Sequence, residues 1–477
     1  MVNAEFMNTV SPKLAVGCAL LLSLLTQPAG GAARDAMRAG VAEIDINPPV
    51  GHRMAGYFNE RFATGTHDLL KAKAIVLAQG KEKFALVFCD LIGTTLHVST
   101  NARARISAQT GIPVSHILIA ATHTHTGPLF DDVRRDFLHE EAVARLGKDP
   151  QEEIYYPDFL VERPVKVATE AHAKLAPANV FAGIAKREGL AFNRRYHMRD
   201  GRVVFNPGVL NTNIVKLAGP VDPSVGILCV RDATSDRPLG SLTVFACHCD
   251  TVGGTEYGAD YPHFIEQTLR SKLGADFCSA FAAGTCGDIN HINVSVKGSL
   301  PRYGITERIG VALGQTVLDN LAKLDRVTKP RLAVRSVTLT VPLQEVTSEQ
   351  VKTARENMPI LSVGGGTFTE RVEATKVLDL AARGKIWPME VQVFRLDKDT
   401  ALVGLPGEIF CDLGLAIKSA SPFKKTIVMS LCNDRLGYVP TKKASTEGSY
   451  EVTNARVKPG GGEMLVEAAV KFLKQLH

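Results

Sequence analysis

No run of like charge, no low-complexity tract and no short-period repeat interrupts the 477 residues of this chain. Basic residues are interspersed with acidic ones and the formal net charge is only +6, so the basic stripe that a nucleic-acid groove needs is missing and no nucleic-acid partner is expected. No stretch rich in Pro, Gly or Ser is long enough to separate two domains. An apolar fraction of 45% with 22% charged residues excludes wholesale disorder. The apolar run 14–25 behind Lys13 is too short for a stable membrane anchor. Followed by Ala29-Gly30-Gly31-Ala32-Ala33, it has the charged, apolar, small-residue order of a secretory leader. Residues 1–33 are therefore expected to be a signal peptide cleaved near Ala32 or Ala33, and the mature protein, 34–477, to be secreted or periplasmic. Cys18 lacks the large aliphatic residue three positions earlier that lipid attachment requires.

Eight cysteines remain after that leader. Exported proteins use even numbers for disulfides, with room here for one or two bridges. However, Cys89, Cys229, Cys247, Cys278 and Cys432 lie in or beside apolar runs, where free cysteine behaves as a small buried hydrophobe. Cys247 and Cys249 flank His248, and alternation along a strand would turn both sulfurs away from its imidazole.

Short apolar runs predict strands at 72–78, 84–88, 116–121, 180–186, 214–217, 225–231, 242–247, 336–343, 389–396, 400–405 and 426–431. Helical spacing marks 101–111, 161–175, 262–273, 305–324, 347–358, a segment after Gly364-Gly365-Gly366, and 463–476. The polar stretch 131–157 reads as an insertion carrying helices. Together these predict one large α/β domain with mixed, partly parallel sheets flanked by helices.

Chemistry gathers at the expected strand ends. The run 117–121 leads into Thr122-His123-Thr124-His125-Thr126-Gly127-Pro128, where alternation would point both imidazoles into one space. A second run ends at His248, a third breaks at Pro406-Gly407-Glu408, and a fourth leads to Asn433-Asp434-Arg435-Leu436-Gly437-Tyr438. Each has an ordinary explanation: a hydrogen-bonded histidine, a carboxylate at a helix N-terminus, a packed tyrosine. Together they offer two imidazole sites, a carboxylate and a phenol, and a catalytic zinc needs about three protein ligands and an open position.

These motifs resemble the neutral/alkaline non-lysosomal ceramidases, and in particular their zinc-bearing N-terminal catalytic domain. The likeness runs in order through Asp45-Ile46-Asn47-Pro48-Pro49-Val50-Gly51, Met54-Ala55-Gly56-Tyr57, Gly65-Thr66-His67-Asp68, residues 122–128, Phe192-Asn193-Arg194, the His248 strand, Gly287-Asp288, Pro406-Gly407-Glu408 and Gly437-Tyr438-Val439. It implies a single zinc held by His123, His248, Glu408 and Tyr438, with the site at the C-terminal ends of strands. It further implies that His125 is an acid/base group, that Arg194 contacts substrate and that Tyr450 lies near the site. The expected activity is cleavage of the amide of a ceramide-like or other N-acyl lipid by zinc-activated water, with transient membrane-surface contact within scope.

Two departures stand out. Where ceramidases tend to read Gly-Asp-Val-Ser-Pro, this chain has Gly287-Asp288-Ile289-Asn290-His291, which removes a serine nucleophile there. The family's C-terminal β-sandwich domain is also not expected here. Alternatives remain open: another amide or ester substrate on the same fold, a binuclear site binding both His123 and His125, or a secreted metal-binding protein without catalysis. Asp90, His67-Asp68, Asp288 and His291 are candidates to orient a ligand imidazole, or simply to fix loops. Asp260-Tyr261-Pro262 reads as a helix entry.

Overall fold

The computed structural model describes residues 36–298 and 300–477; the leader expected over residues 1–33 lies outside them. Among the described residues, no helix is long and apolar enough to cross a membrane. A nine-stranded sheet holds the centre, built from β1 (Met37–Asp45), β2 (Lys71–Gln79), β3 (Glu82–Cys89), β4 (Ile117–Ala121), β5 (Ala176–Lys186), β6 (Ser224–Asp232), β7 (Pro238–Phe245) and β8 (Cys278–Ala283). Their order is β8-β7-β6-β5-β1-β2-β3-β4, with Asp325–Arg326 paired to β5. The inner pairs are antiparallel, whereas the edge pairs β3–β4 and β7–β8 are parallel.

A parallel pair needs a crossover on one face of the sheet. Helix α1 (Leu96–Thr110) supplies it for β3–β4, starting at the side-chain cap Thr95 and stopping at left-handed Gly111. Helices α2 (Val133–Leu146) and α3 (Tyr156–Ala173) follow, then α4 (Tyr261–Leu273), which is the β7–β8 crossover, and α5 (Gly304–Asn320). Val76, Val87 and Ile119 of the sheet pack on this side against Ile106, Val165, Ile265 and Leu313. The expected insertion at 131–157 carries α2.

The other face meets a second sheet. Strands β9 (Ala333–Pro342), β10 (Ile386–Arg395), β11 (Thr400–Gly404) and β13 (Lys425–Met429) pair in that order, and the two-residue strands β12 (Glu408–Ile409) and β14 (Tyr438–Val439) pair in parallel beside them. Ile75, Leu86 and Leu118 interlock with Phe394, Leu402 and Met429 between the sheets. Helices α6 (Ser348–Leu361) and α7 (Phe368–Arg383), each entered through a capping box, form a hairpin. Helices α8 (Cys411–Ala420) and α9 (Gly461–Leu476) cover the outer face of the second sheet through Leu413, Ile417, Leu465 and Leu473. The expected mixed α/β architecture thus takes the form helix, sheet, sheet, helix. Central strands buried on both faces have no polar side, so they read as unbroken apolar runs.

The long sheet curls until β8 approaches β2, β3 and β4. Residues 430–433 close the remaining gap: Ser430 N donates to Ala283 O at 2.9 Å, Ala121 N to Leu431 O at 3.2 Å and Asn433 N to Ile119 O at 2.7 Å. Left-handed Leu431 and Asn433, with φ of 57° and 63°, make the bends this requires.

Most expected elements stand within a few residues of their predicted bounds, with three informative exceptions. Strand β1 was not expected; its Ala39, Gly40 and Ala42 give no apolar run because α3 lies directly on it, and a Cβ on Gly40 would sit 2.0 Å from Ala171 O. Strands β4 and β7 stop at Ala121 and Phe245, so neither reaches its histidine. Glu408 lies in β12 and not at the start of α8, which begins at Cys411. All eight cysteines of the described residues are free and buried.

Because α3 backbone cannot retreat without leaving the sheet, Gly40→Ala is expected to destabilise the protein by about 3 kcal/mol through overpacking. Chemical denaturation checks this; an unchanged midpoint would contradict the packing described.

Candidate metal centre

Three parallel strand pairs end on the same side of the molecule, and the chain leaving them carries the candidate ligands: His123 after β4, His248 after β7, and both Glu408 after β11 and Tyr438 after β13 of the third pair. This is where open α/β sheets place their chemistry. Glu408 and Tyr438 are direct cross-strand partners in β12–β14, so two residues thirty apart in sequence meet through a single backbone pairing.

Strand alternation is not what brings His123 and His125 together, contrary to the reading from sequence. Both lie beyond β4, and His123 has φ of 77°. A non-glycine residue in that region costs about 1–3 kcal/mol, held by its surroundings. Here His123 N donates to Leu91 O at 2.9 Å and Nδ1 lies 2.7 Å from Ile92 O. The two rings still face one space, edge to face with centroids 5.0 Å apart, and the His123 and His248 centroids are 4.5 Å apart.

A carbonyl oxygen only accepts, so each histidine's proton can be placed. His123 Nδ1 donates to Ile92 O, His248 Nδ1 to Cys286 O and Ile289 O at 2.8 and 2.9 Å, and His125 Nδ1 to Gly56 O at 3.0 Å. In the neutral form of each ring, Nε2 is then the nitrogen that carries the lone pair. All three Nε2 atoms are buried without a hydrogen-bond partner, and so is Glu408 Oε2. That oxygen lies 3.4 Å from His123 Nε2 and 3.3 Å from His248 Nε2. Burial, reinforced by Arg194 and His123, pushes His248 down to about 3, so it is neutral near pH 7. A neutral His248 presents a lone pair to this buried carboxylate oxygen, and a cation among these atoms relieves the repulsion. Two imidazole nitrogens, a carboxylate oxygen and a phenol oxygen fit zinc well. Backbone carbonyls orient the imidazoles.

Tyr438 is buried and lines a cavity together with His123, His125, Glu408 and Tyr450. Burial raises its phenol well above the ordinary value, despite Arg194 alongside. Arg194 is not among the cavity-lining residues. It is buried behind Tyr438, donating to the Tyr438 hydroxyl at 3.0 Å, to Gly287 O at 2.9 Å and to Glu451 Oε1 at 2.8 Å. The structure thus gives it a positioning place and no exposed face for substrate. Tyr450 accepts from Tyr438 and from Asn454 Nδ2, both at 3.4 Å, and burial pushes it up to about 12.

Around His125 the structure adds Asp250, which sequence reasoning did not single out. Asp250 Oδ1 lies 3.7 Å from His125 Nδ1 and accepts from the Tyr57 hydroxyl at 2.9 Å. Burial lowers the His125 pKa, partly offset by Asp250. The loop carrying Gly56 lies so close that a Cβ there would be 2.4 Å from His125 O, and its φ is 104°. The His-Cys-Asp order at 248–250 was the available signal for Asp250.

Other candidates fall elsewhere. Asp90 accepts from Lys71 N, His67 pairs with Asp68, Asp288 accepts from Asn193 and Cys411 N, and Asp260 caps α4. Among the described residues none of these touches a ligand imidazole. His139, Asp149 and Glu152 also cluster, but Arg53 and Arg135 already neutralise the two carboxylates.

Residues 37–295 match the profile of the family described as neutral/alkaline non-lysosomal ceramidase, N-terminal. A neutral ceramidase from Pseudomonas aeruginosa is 24% identical over 482 aligned positions, which span 87% of this chain and 68% of that protein. The crystal structure of neutral ceramidase from Pseudomonas aeruginosa superposes with a TM-score of 0.70 at 18% identity, covering 92% of this chain and 75% of that one. A ceramidase complexed with C2 gives 0.69 at 18% identity, covering 93% and 75%.

Elemental analysis of protein purified without chelator is expected to find one zinc per chain. His123→Ala, His248→Ala and Glu408→Gln should each lower occupancy at limiting zinc by at least about tenfold. Two zinc ions per chain, or occupancy indifferent to all three substitutions, would contradict a single shared site.

Proposed function

The chain belongs to the neutral/alkaline non-lysosomal ceramidase family, and from that membership and the ligand geometry we propose that it is an exported, zinc-dependent amidohydrolase that cleaves N-acyl amides such as ceramide. The observation that carries this reading is the convergence of three unpartnered Nε2 atoms and Glu408 Oε2 in one buried place. His123, His248, Glu408 and Tyr438 would hold the metal. When bound, zinc supplies Lewis acidity, polarising a carbonyl and bringing the pKa of a water toward about 7.

The protein's own groups would do the rest. His125, fixed through Nδ1, turns an unpartnered Nε2 toward the ligands and can take a proton from the attacking water and hand it to the departing nitrogen. Amide cleavage needs that service, since an amine anion leaves poorly. Tyr450 accepts two hydrogen bonds and stays protonated, so its own O–H is left to donate into the cavity. There it can stabilise the tetrahedral oxyanion. Arg194 would act through Tyr438, whose hydroxyl it holds in place.

Position 290 is consistent with direct attack by water. Asn290 stands there, with its amide bonded to Asn206 at 3.1 Å, and no acyl-serine can form on it.

Release of fatty acid from an N-acyl substrate is expected to be abolished by chelation and restored by zinc. His125→Ala should retain the metal and lower kcat by about 100- to 10,000-fold. Full activity in the presence of a chelator, or in His125→Ala, would remove this reading.

A further inference from the structure

The cleft beside the metal ligands is half open to solvent and holds about 100 Å³, room for a head group while acyl chains extend beyond it. Its wall carries four guanidinium groups, Arg134, Arg383, Arg435 and Arg456.

Two aspartates hold them in pairs. Asp132 accepts from Arg134 Nε at 3.0 Å and from Arg435 Nη2 at 3.2 Å. Asp379 accepts from Arg383 Nε at 2.8 Å and from Arg456 Nε at 2.9 Å. Arg383 is further fixed by stacking on Trp387, 4.2 Å from the ring centroid. Even with Asp131 counted, the wall outside the metal ligands keeps one net positive charge.

These pairings fix the arginines without using them up. Among the described residues, Arg383 Nη1 and Nη2, Arg435 Nε and Nη1, and Arg456 Nη2 donate to nothing, while their neighbouring nitrogens are engaged. A guanidinium whose fork is held rigid and whose outer donors are free is shaped for two oxygens of an anion. A neutral head group bearing only hydroxyls would displace water from these donors without bringing a charge to meet them.

We propose that the substrate carries an anionic group, a carboxylate or a phosphate, close to the scissile amide, and that Arg383, Arg435 and Arg456 receive it. This inference rests on the amidohydrolase reading above and narrows its substrate. The charge on the head group then selects the substrate.

The test compares three amides of one chain length on the zinc-loaded enzyme: N-dodecanoylglycine, N-dodecanoylethanolamine phosphate and neutral N-dodecanoylethanolamine. At least one anionic amide is expected to exceed the neutral one in kcat/KM by about tenfold or more, and which of the two leads identifies the anion. Arg383→Gln and Arg435→Gln should each bring that ratio down several-fold, with zinc content at the wild-type level as the check on folding. Arg383→Glu should reverse the preference. Cleavage of ceramide or the neutral amide with no advantage for either anion, or an advantage unmoved in all three variants, overturns this inference alone. Failure to cleave any amide, ceramide included, removes the amidohydrolase reading first and this inference with it.

Discussion

Four polar atoms that face one another in a buried space, none with a hydrogen-bond partner, set the terms for this structure. His123 Nε2, His125 Nε2, His248 Nε2 and Glu408 Oε2 have no hydrogen-bond partner, because backbone carbonyls have already claimed the imidazole protons on the opposite nitrogens. Such an arrangement is unfavourable in a folded chain unless a cation joins it. The surroundings commit to it all the same: His123 is kept at positive φ, and a glycine with no room for a side chain is pressed onto His125.

The fold makes that arrangement reachable. Antiparallel pairing in the middle of the long sheet would by itself leave β4 and β7 far apart in strand order. Counted through the antiparallel pairs between them, β4 and β7 run in opposite senses along the sheet, so it is the curl of the sheet that brings their C-terminal ends to one place. Residues 430–433 then bond to β4 and β8 at once, so the second sheet delivers Glu408 and Tyr438 to the seam that it closes. The ligands therefore depend on long-range packing between layers and are not preorganised within any one segment.

This explains what could and could not be read from sequence. Apolar runs such as β2 and β3 were legible because burial on both faces makes them continuous. The ligands were legible as breaks at the ends of such runs and through the order of family motifs. Strand β1 was hidden because helix contact demands small residues there. Alternation misled at His123, since the strand ends two residues earlier and a left-handed bend, which no local pattern announces, aims the ring. The place of Arg194 behind Tyr438 was not legible for a similar reason: its partners Glu451 and Gly287 come from distant segments. The arginine wall was invisible, because its four members are far apart in sequence and only the start of α2, the α7 end, the loop after β13 and the turn before α9 bring them together.

The most direct test of the central claim is X-ray absorption at the zinc edge of the purified protein. The account predicts a first shell of nitrogen and oxygen only, at about 2.0–2.1 Å, with outer-shell scattering from two imidazoles. Eight buried free cysteines make the competing outcome specific. A sulfur scatterer at about 2.3 Å, or a shell without imidazole, would place the metal elsewhere and contradict the account.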